Sequence, residues 1–90
     1  MKKRYHIIFS GTVQGVGFRY TARALALKYK LTGWVMNLPT RNVELEVEGE
    51  EEELDSFLED LKDEFKGYIR DIDLRELDYT GEFKNFNIRF

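Results

Sequence analysis

The chain has 90 residues, 14 of them basic and 17 acidic, for a formal net charge of −3; 42% are hydrophobic, with seven Phe, five Tyr, one Trp and no Cys. That length supports a single core burying roughly 60–65% of the unfolded surface, and the apolar content argues against disorder. The charge balance excludes a basic nucleic-acid-binding domain, the lack of thiols excludes disulfides, thiolate zinc sites and cysteine-nucleophile chemistry, and a lone His6 excludes a histidine-rich metal centre.

Met1-Lys2-Lys3-Arg4 is basic like the start of a signal peptide, but the apolar run behind it stops at Phe9, short of the roughly 7–15 residues a leader needs. No stretch approaches the ~20 apolar residues of a membrane span. A cytoplasmic, monomeric protein with one domain over residues 1–90 is the expectation.

Tyr5, Ile7 and Phe9 alternate with His6 and Ile8, predicting a first strand that ends at Ser10-Gly11. Phe18, Ala22, Leu25, Ala26 and Tyr29 recur at helical spacing and predict a helix from about Phe18 to Lys30. Gly33 opens a second strand, Trp34 to Leu38, which Pro39 ends because it offers no backbone donor. Val43, Leu45 and Val47 alternate with Glu44, Glu46 and Glu48, so the third strand should have one buried face and one wet face, reached through a hairpin turn near Thr40-Arg41-Asn42.

Glu50 to Glu53 suit the positive end of a second helix, whose apolar stripe is Leu54, Phe57, Leu58, Leu61 and Phe65, with Gly67 as its cap. Ile72 and Leu74 keep one strand phase while Leu77 and Tyr79 take the other, predicting a bulge or break near Arg75-Glu76. Phe86, Ile88 and Phe90 suggest a short last strand. The order β-α-β-β-α-β with one added strand predicts an α+β, ferredoxin-like split β-α-β sandwich, with two helices on one face of an antiparallel sheet. That fold by itself hosts many functions.

The stretch Gly11-Thr12-Val13-Gln14-Gly15-Val16-Gly17-Phe18-Arg19 carries the chemistry. Glycines two apart between a strand and a helix let successive N–H groups turn inward around an anion, and the helix start adds its own free amides. Arg19, in the helix's first turn, opposes the dipole at a cost of about 0.3–1 kcal/mol unless an anion binds. Its planar fork can grip two phosphate oxygens together. Taken alone, a glycine turn followed by a solvated arginine fits this stretch equally well.

This stretch, followed by Gly33-Trp34-Val35-Met36-Asn37, resembles the paired signature of the acylphosphatase family, and the similarity extends through Val43 to Gly49, the second helix and Thr80-Gly81-Glu82-Phe83. The resemblance implies hydrolysis of the carboxyl-phosphate bond in small acyl phosphates, with no cofactor, no metal and no covalent phosphoenzyme. It assigns phosphate binding to Gln14, Gly15, Val16, Gly17, Phe18 and Arg19, and catalysis to Arg19 and Asn37, the latter orienting the attacking water. Asn37 alone would read as a residue preparing the turn at Pro39; its match to the family spacing favours the catalytic role. Two departures stand out. Met36 occupies a position that is commonly Arg or Lys, which removes a nearby positive charge, and Thr40-Arg41-Asn42 stands where Asp-Gly is usual.

Other features read as structural. His6 has no partner acid identifiable in the sequence, Glu50 to Glu53 point in different directions around a helix, and Trp34 reads as core. Two alternatives remain: a non-catalytic anion-binding accessory module of the same fold, and an RNA-recognition domain. The second needs aromatics and basic residues on central strands, where Glu44, Glu46 and Glu48 would repel a phosphodiester backbone.

Overall fold

In the computed structural model, which describes residues 1–90, the chain runs β1 (Lys2–Gly11), α1 (Phe18–Lys28), β2 (Thr32–Asn37), β3 (Val43–Glu50), α2 (Glu51–Glu64), β4 (Ile69–Leu77) and β5 (Phe86–Arg89). The strands form one sheet in the order β4-β1-β3-β2-β5. Strand alternation sends Tyr5, Ile7, Phe9, Val35, Val43, Leu45, Val47 and Phe86 to the helix side, where they meet Phe18, Ala22 and Ala26 of α1 and Leu54, Phe57, Leu58 and Leu61 of α2 in a single apolar cluster. Burial of this face is the main driving force for the fold.

The predicted sandwich is therefore present, with the sheet mixed at one edge. β1, β2, β3 and β4 pair antiparallel, but β5 runs parallel to β2. The reason is the chain path. β4 ends at the same end of the sheet where β2 begins, so a segment crossing there to the far edge can only re-enter alongside β2 in the same direction.

Three local expectations change. β4 passes through Arg75 and Glu76 in register with His6 and Tyr5; the irregularity lies instead at Ser10/Gly11, where Arg70 is skipped between Asp71 and Ile69. Leu77 keeps the strand phase and lies on the helix-free face, 37% exposed. α1 stops at Lys28 rather than Lys30, because Lys30 takes a left-handed φ of 57° and Leu31 N–H reaches back to Ala26 O at 2.8 Å, a Schellman-type end. Trp34 is buried but lies outside the core cluster: one residue from Val35, it faces the other side of the sheet, beneath the Arg89 guanidinium 4.5 Å from its ring centre.

The helix-free face is also drier than the alternation predicts. Glu44 binds His6 Nε2 at 2.7 Å, the partner the sequence does not reveal, and Glu46 meets Arg4 at 3.5 Å. Glu48 is only 1% exposed. Its carboxylate accepts hydrogen bonds from Thr80 N–H at 2.7 Å, Thr80 Oγ1–H at 2.8 Å and Gly81 N–H at 3.1 Å. Residues 78–85 thus cross the sheet end as a strap, further held by Arg4 Nε donating to Asp78 O at 2.9 Å.

Glu48→Gln keeps the shape but loses a charged acceptor for three donors, so it should lower unfolding free energy by about 2 kcal/mol in urea titration. Acid should also weaken the fold. A hydrogen bond from Tyr29 holds the Asp60 carboxyl below the usual range, and one from Lys3 does the same for Glu51. A carboxylate whose folded pKa is depressed stabilises above its unfolded pKa, near about 4, and loses that contribution as pH falls through the folded value. The urea midpoint should therefore drop between about pH 5 and pH 2, and less steeply in Asp60→Asn.

Candidate active site

The connection between β1 and α1 is fixed at both ends by buried side chains. Val13 is 1% exposed, and the Phe18 ring lies 4.9 Å from Phe9 and 4.7 Å from Phe65, centre to centre. Between these anchors Gly15 and Gly17 adopt left-handed φ values of 77° and 81°. A methyl group added at either would meet no atom within 4 Å, so the glycines are needed for conformation and the space before the loop is open.

Gly17 is the N-cap of α1 and supplies no side-chain cap, and the first turn holds no acid. The first helical bond is Thr21 N–H to Gly17 O at 3.1 Å, which leaves the amides of Gly15 through Tyr20 without protein acceptors. Arg19 rises from this turn with no carboxylate partner; the Phe90 ring lies 5.0 Å from its guanidinium carbon.

Asn37 is the last residue of β2 and shares the phase of Val35, so it points to the helix side, toward the start of α1. It joins Val13, Gly15, Gly17, Phe18, Arg19 and Tyr20 around one cleft of about 200 Å³. Four of the predicted phosphate-binding residues, together with Asn37, therefore meet. The side chains of Gln14 and Val16 turn away from the cleft: that of Val16 packs against the core, leaving only its free N–H in the loop, and the Gln14 amide faces the β2–β3 turn.

Tyr20, which the sequence does not single out, is at the cleft's rim and 62% exposed; its only signal is its place in the same helical turn as Arg19. Met36 points to the opposite, helix-free face, in register with Glu44 and Arg89, so a charge at this position would not project into the cleft. In the hairpin turn Arg41 takes φ 74°, its N–H bonds Leu38 O at 3.0 Å, and Leu38 N–H closes onto Asn42 O at 2.9 Å. No group of three or more His, Asp or Glu is placed to hold a metal ion, and no helix is long and apolar enough to cross a membrane.

An α+β sandwich in which free amides and an unpaired guanidinium face one open cleft has the architecture of a small anion-handling domain. Comparison with known proteins narrows the class. The acylphosphatase family model matches residues 5–88. An acylphosphatase of Clostridium beijerinckii is 44% identical over 89 residues, covering 97% of this chain and 98% of the relative. The crystal structure of acylphosphatase from Bacillus subtilis superposes with a TM-score of 0.90 at 40% identity, covering all of both chains. A crystal structure of full-length HypF in the phosphate- and nucleotide-bound form matches at a TM-score of 0.86 and 33% identity, over 100% of this chain but 12% of that one. The chain belongs to the acylphosphatase family. It is an enzyme of that type, hydrolysing acyl phosphates to a carboxylate and orthophosphate.

At Gly17 the backbone sets the demand and sterics do not. Gly17→Ala should therefore cost about 1–2 kcal/mol of stability in urea titration, the strain of a left-handed alanine, with no clash to relieve.

Proposed function

We propose that the cleft binds the phosphoryl end of the acyl phosphate, with Arg19 and the amides of Gly15 through Phe18 holding its oxygens while Asn37 fixes a water in line with the scissile P–O bond. The observation that carries this reading is the convergence of Gly15, Gly17, Arg19 and Asn37 on one cleft of about 200 Å³. A cation at a helix N-terminus opposes the dipole, and a bound dianion reverses that sign. Arg19 has no protein carboxylate to do so instead.

The substrate's chemistry explains why so few groups suffice. The leaving carboxylate departs without being protonated, so a strong general acid is dispensable. A loose phosphoryl-transfer transition state asks mainly for positioning and charge stabilisation, which a guanidinium, a ring of amides and one carboxamide supply. Water attacks phosphorus directly as the P–O bond to the acyl group breaks. One of its protons passes to a phosphoryl oxygen, giving orthophosphate and carboxylate, and the route involves neither metal nor phosphoenzyme. The whole site comes from one chain, which suits a monomer, and a chain without cysteine suits the reducing cytoplasm.

Phosphate release from benzoyl phosphate above the rate in buffer alone is the turnover that this arrangement should produce.

Arg19→Ala should abolish both orthophosphate binding and turnover. Asn37→Ala should lower kcat roughly 100-fold or more while the Kd for orthophosphate stays within about threefold. Hydrolysis of benzoyl phosphate by Asn37→Ala at the parent rate would remove Asn37 from the mechanism.

A further inference from the structure

We infer that Gln14 is a positioning residue, acting through Asn37 by tying the glycine loop to the hairpin that carries it. The inference rests on the proposed role of Asn37 as the residue that orients the attacking water.

The Gln14 Nε2 group donates to Leu38 O and to Asn42 O, both at 2.9 Å, across 24 and 28 residues of sequence. Both partners are backbone carbonyls, so the nitrogen must be the end of the amide that faces them. Leu38 directly follows Asn37, and Asn42 directly precedes Val43, the register partner of Asn37 in β3. One side chain therefore clasps both limbs of the hairpin at the point where Asn37 leaves it. No other hydrogen bond joins residues 12–17 to this turn; Thr12 N–H goes instead to Tyr68 O.

Geometry makes this link matter. The phosphoryl group is proposed to sit in the loop and the water on Asn37, on two separate segments whose hydrogen-bonded tie is the Gln14 side chain. A misplacement of about 1 Å between reacting groups can cost on the order of 100-fold in rate. Gln14 supplies two donors for two carbonyls. Glutamate at this position would set carboxylate lone pairs against them, and methionine would fill the space and offer no donor.

The test is a double-mutant cycle with benzoyl phosphate, using Gln14→Met, Gln14→Glu, Asn37→Ala and both combinations. In the parent background each Gln14 variant should lower kcat at least tenfold, with KM and the Kd for orthophosphate within about threefold. In the Asn37→Ala background the same changes should lower kcat less than twofold, because the group they position is gone. An equal loss in both backgrounds, or a matching loss of orthophosphate affinity, overturns the inference: Gln14 would then act on the loop. If Asn37→Ala slows turnover while both Gln14 variants run at the parent rate, this inference falls and the role of Asn37 stands. If Asn37→Ala itself runs at the parent rate, the underlying mechanism falls with it. Circular dichroism checks that each variant is folded at the assay temperature, and if one Gln14 variant does not fold, the other completes the cycle.

Discussion

Phe18 is the constraint on which the site depends. Its ring sits between Phe9 of the sheet and Phe65 at the end of α2, so the first residue of α1 is held by the core itself. The chain leaving β1 at Gly11 has only residues 12–17 in which to turn and reach that anchor. The turn is made with left-handed glycines, and in that geometry successive amides face outward with no internal acceptor. The same packing that completes the core thus leaves a set of donors pointing at open space, and Arg19 is fixed beside them because it follows the anchored residue.

The two faces of the sheet contribute in different ways. The helix face is apolar and close-packed, and it aims Asn37 at the start of α1 through simple strand alternation. The other face is a layer of paired charges, and its buried member, Glu48, holds the strap that carries the chain from β4 at one edge to β5 at the other. A buried carboxylate is tolerated only when its lone pairs are met, and here three donors meet them. That crossing sets the direction of β5 and brings Phe90 over Arg19. The strap held by Glu48 at one end of β3 thus leads into the strand whose end lies against the guanidinium at the other.

The sparseness of the cleft suits the reaction of the family. An acyl phosphate carries its own leaving group, so rate enhancement can come from fixed dipoles and alignment rather than from acid, base and nucleophile arranged in sequence. Alignment is then the vulnerable element. The loop and the hairpin are separate pieces of chain, and Gln14, with both amide protons committed to the hairpin's carbonyls, is the hydrogen-bonded link between them.

The chain's periodicities determined most of the architecture: alternation in β1 and β3, the apolar stripes of α1 and α2, and the glycine-punctuated stretch ahead of Arg19 are local patterns, and each became the element it predicts. The family resemblance pointed to Arg19 and Asn37, and both line the cleft. Tertiary structure alone decided the parallel edge strand, the burial of Glu48, the pairing of His6 with Glu44, the placing of Trp34 outside the core and the turning of Gln14 away from the cleft. The physical reason is common to all five. Which face of a strand is covered, and which distant carbonyl or carboxylate a polar group meets, follows from where the chain crosses the sheet. A periodicity read along one segment carries no information about that crossing.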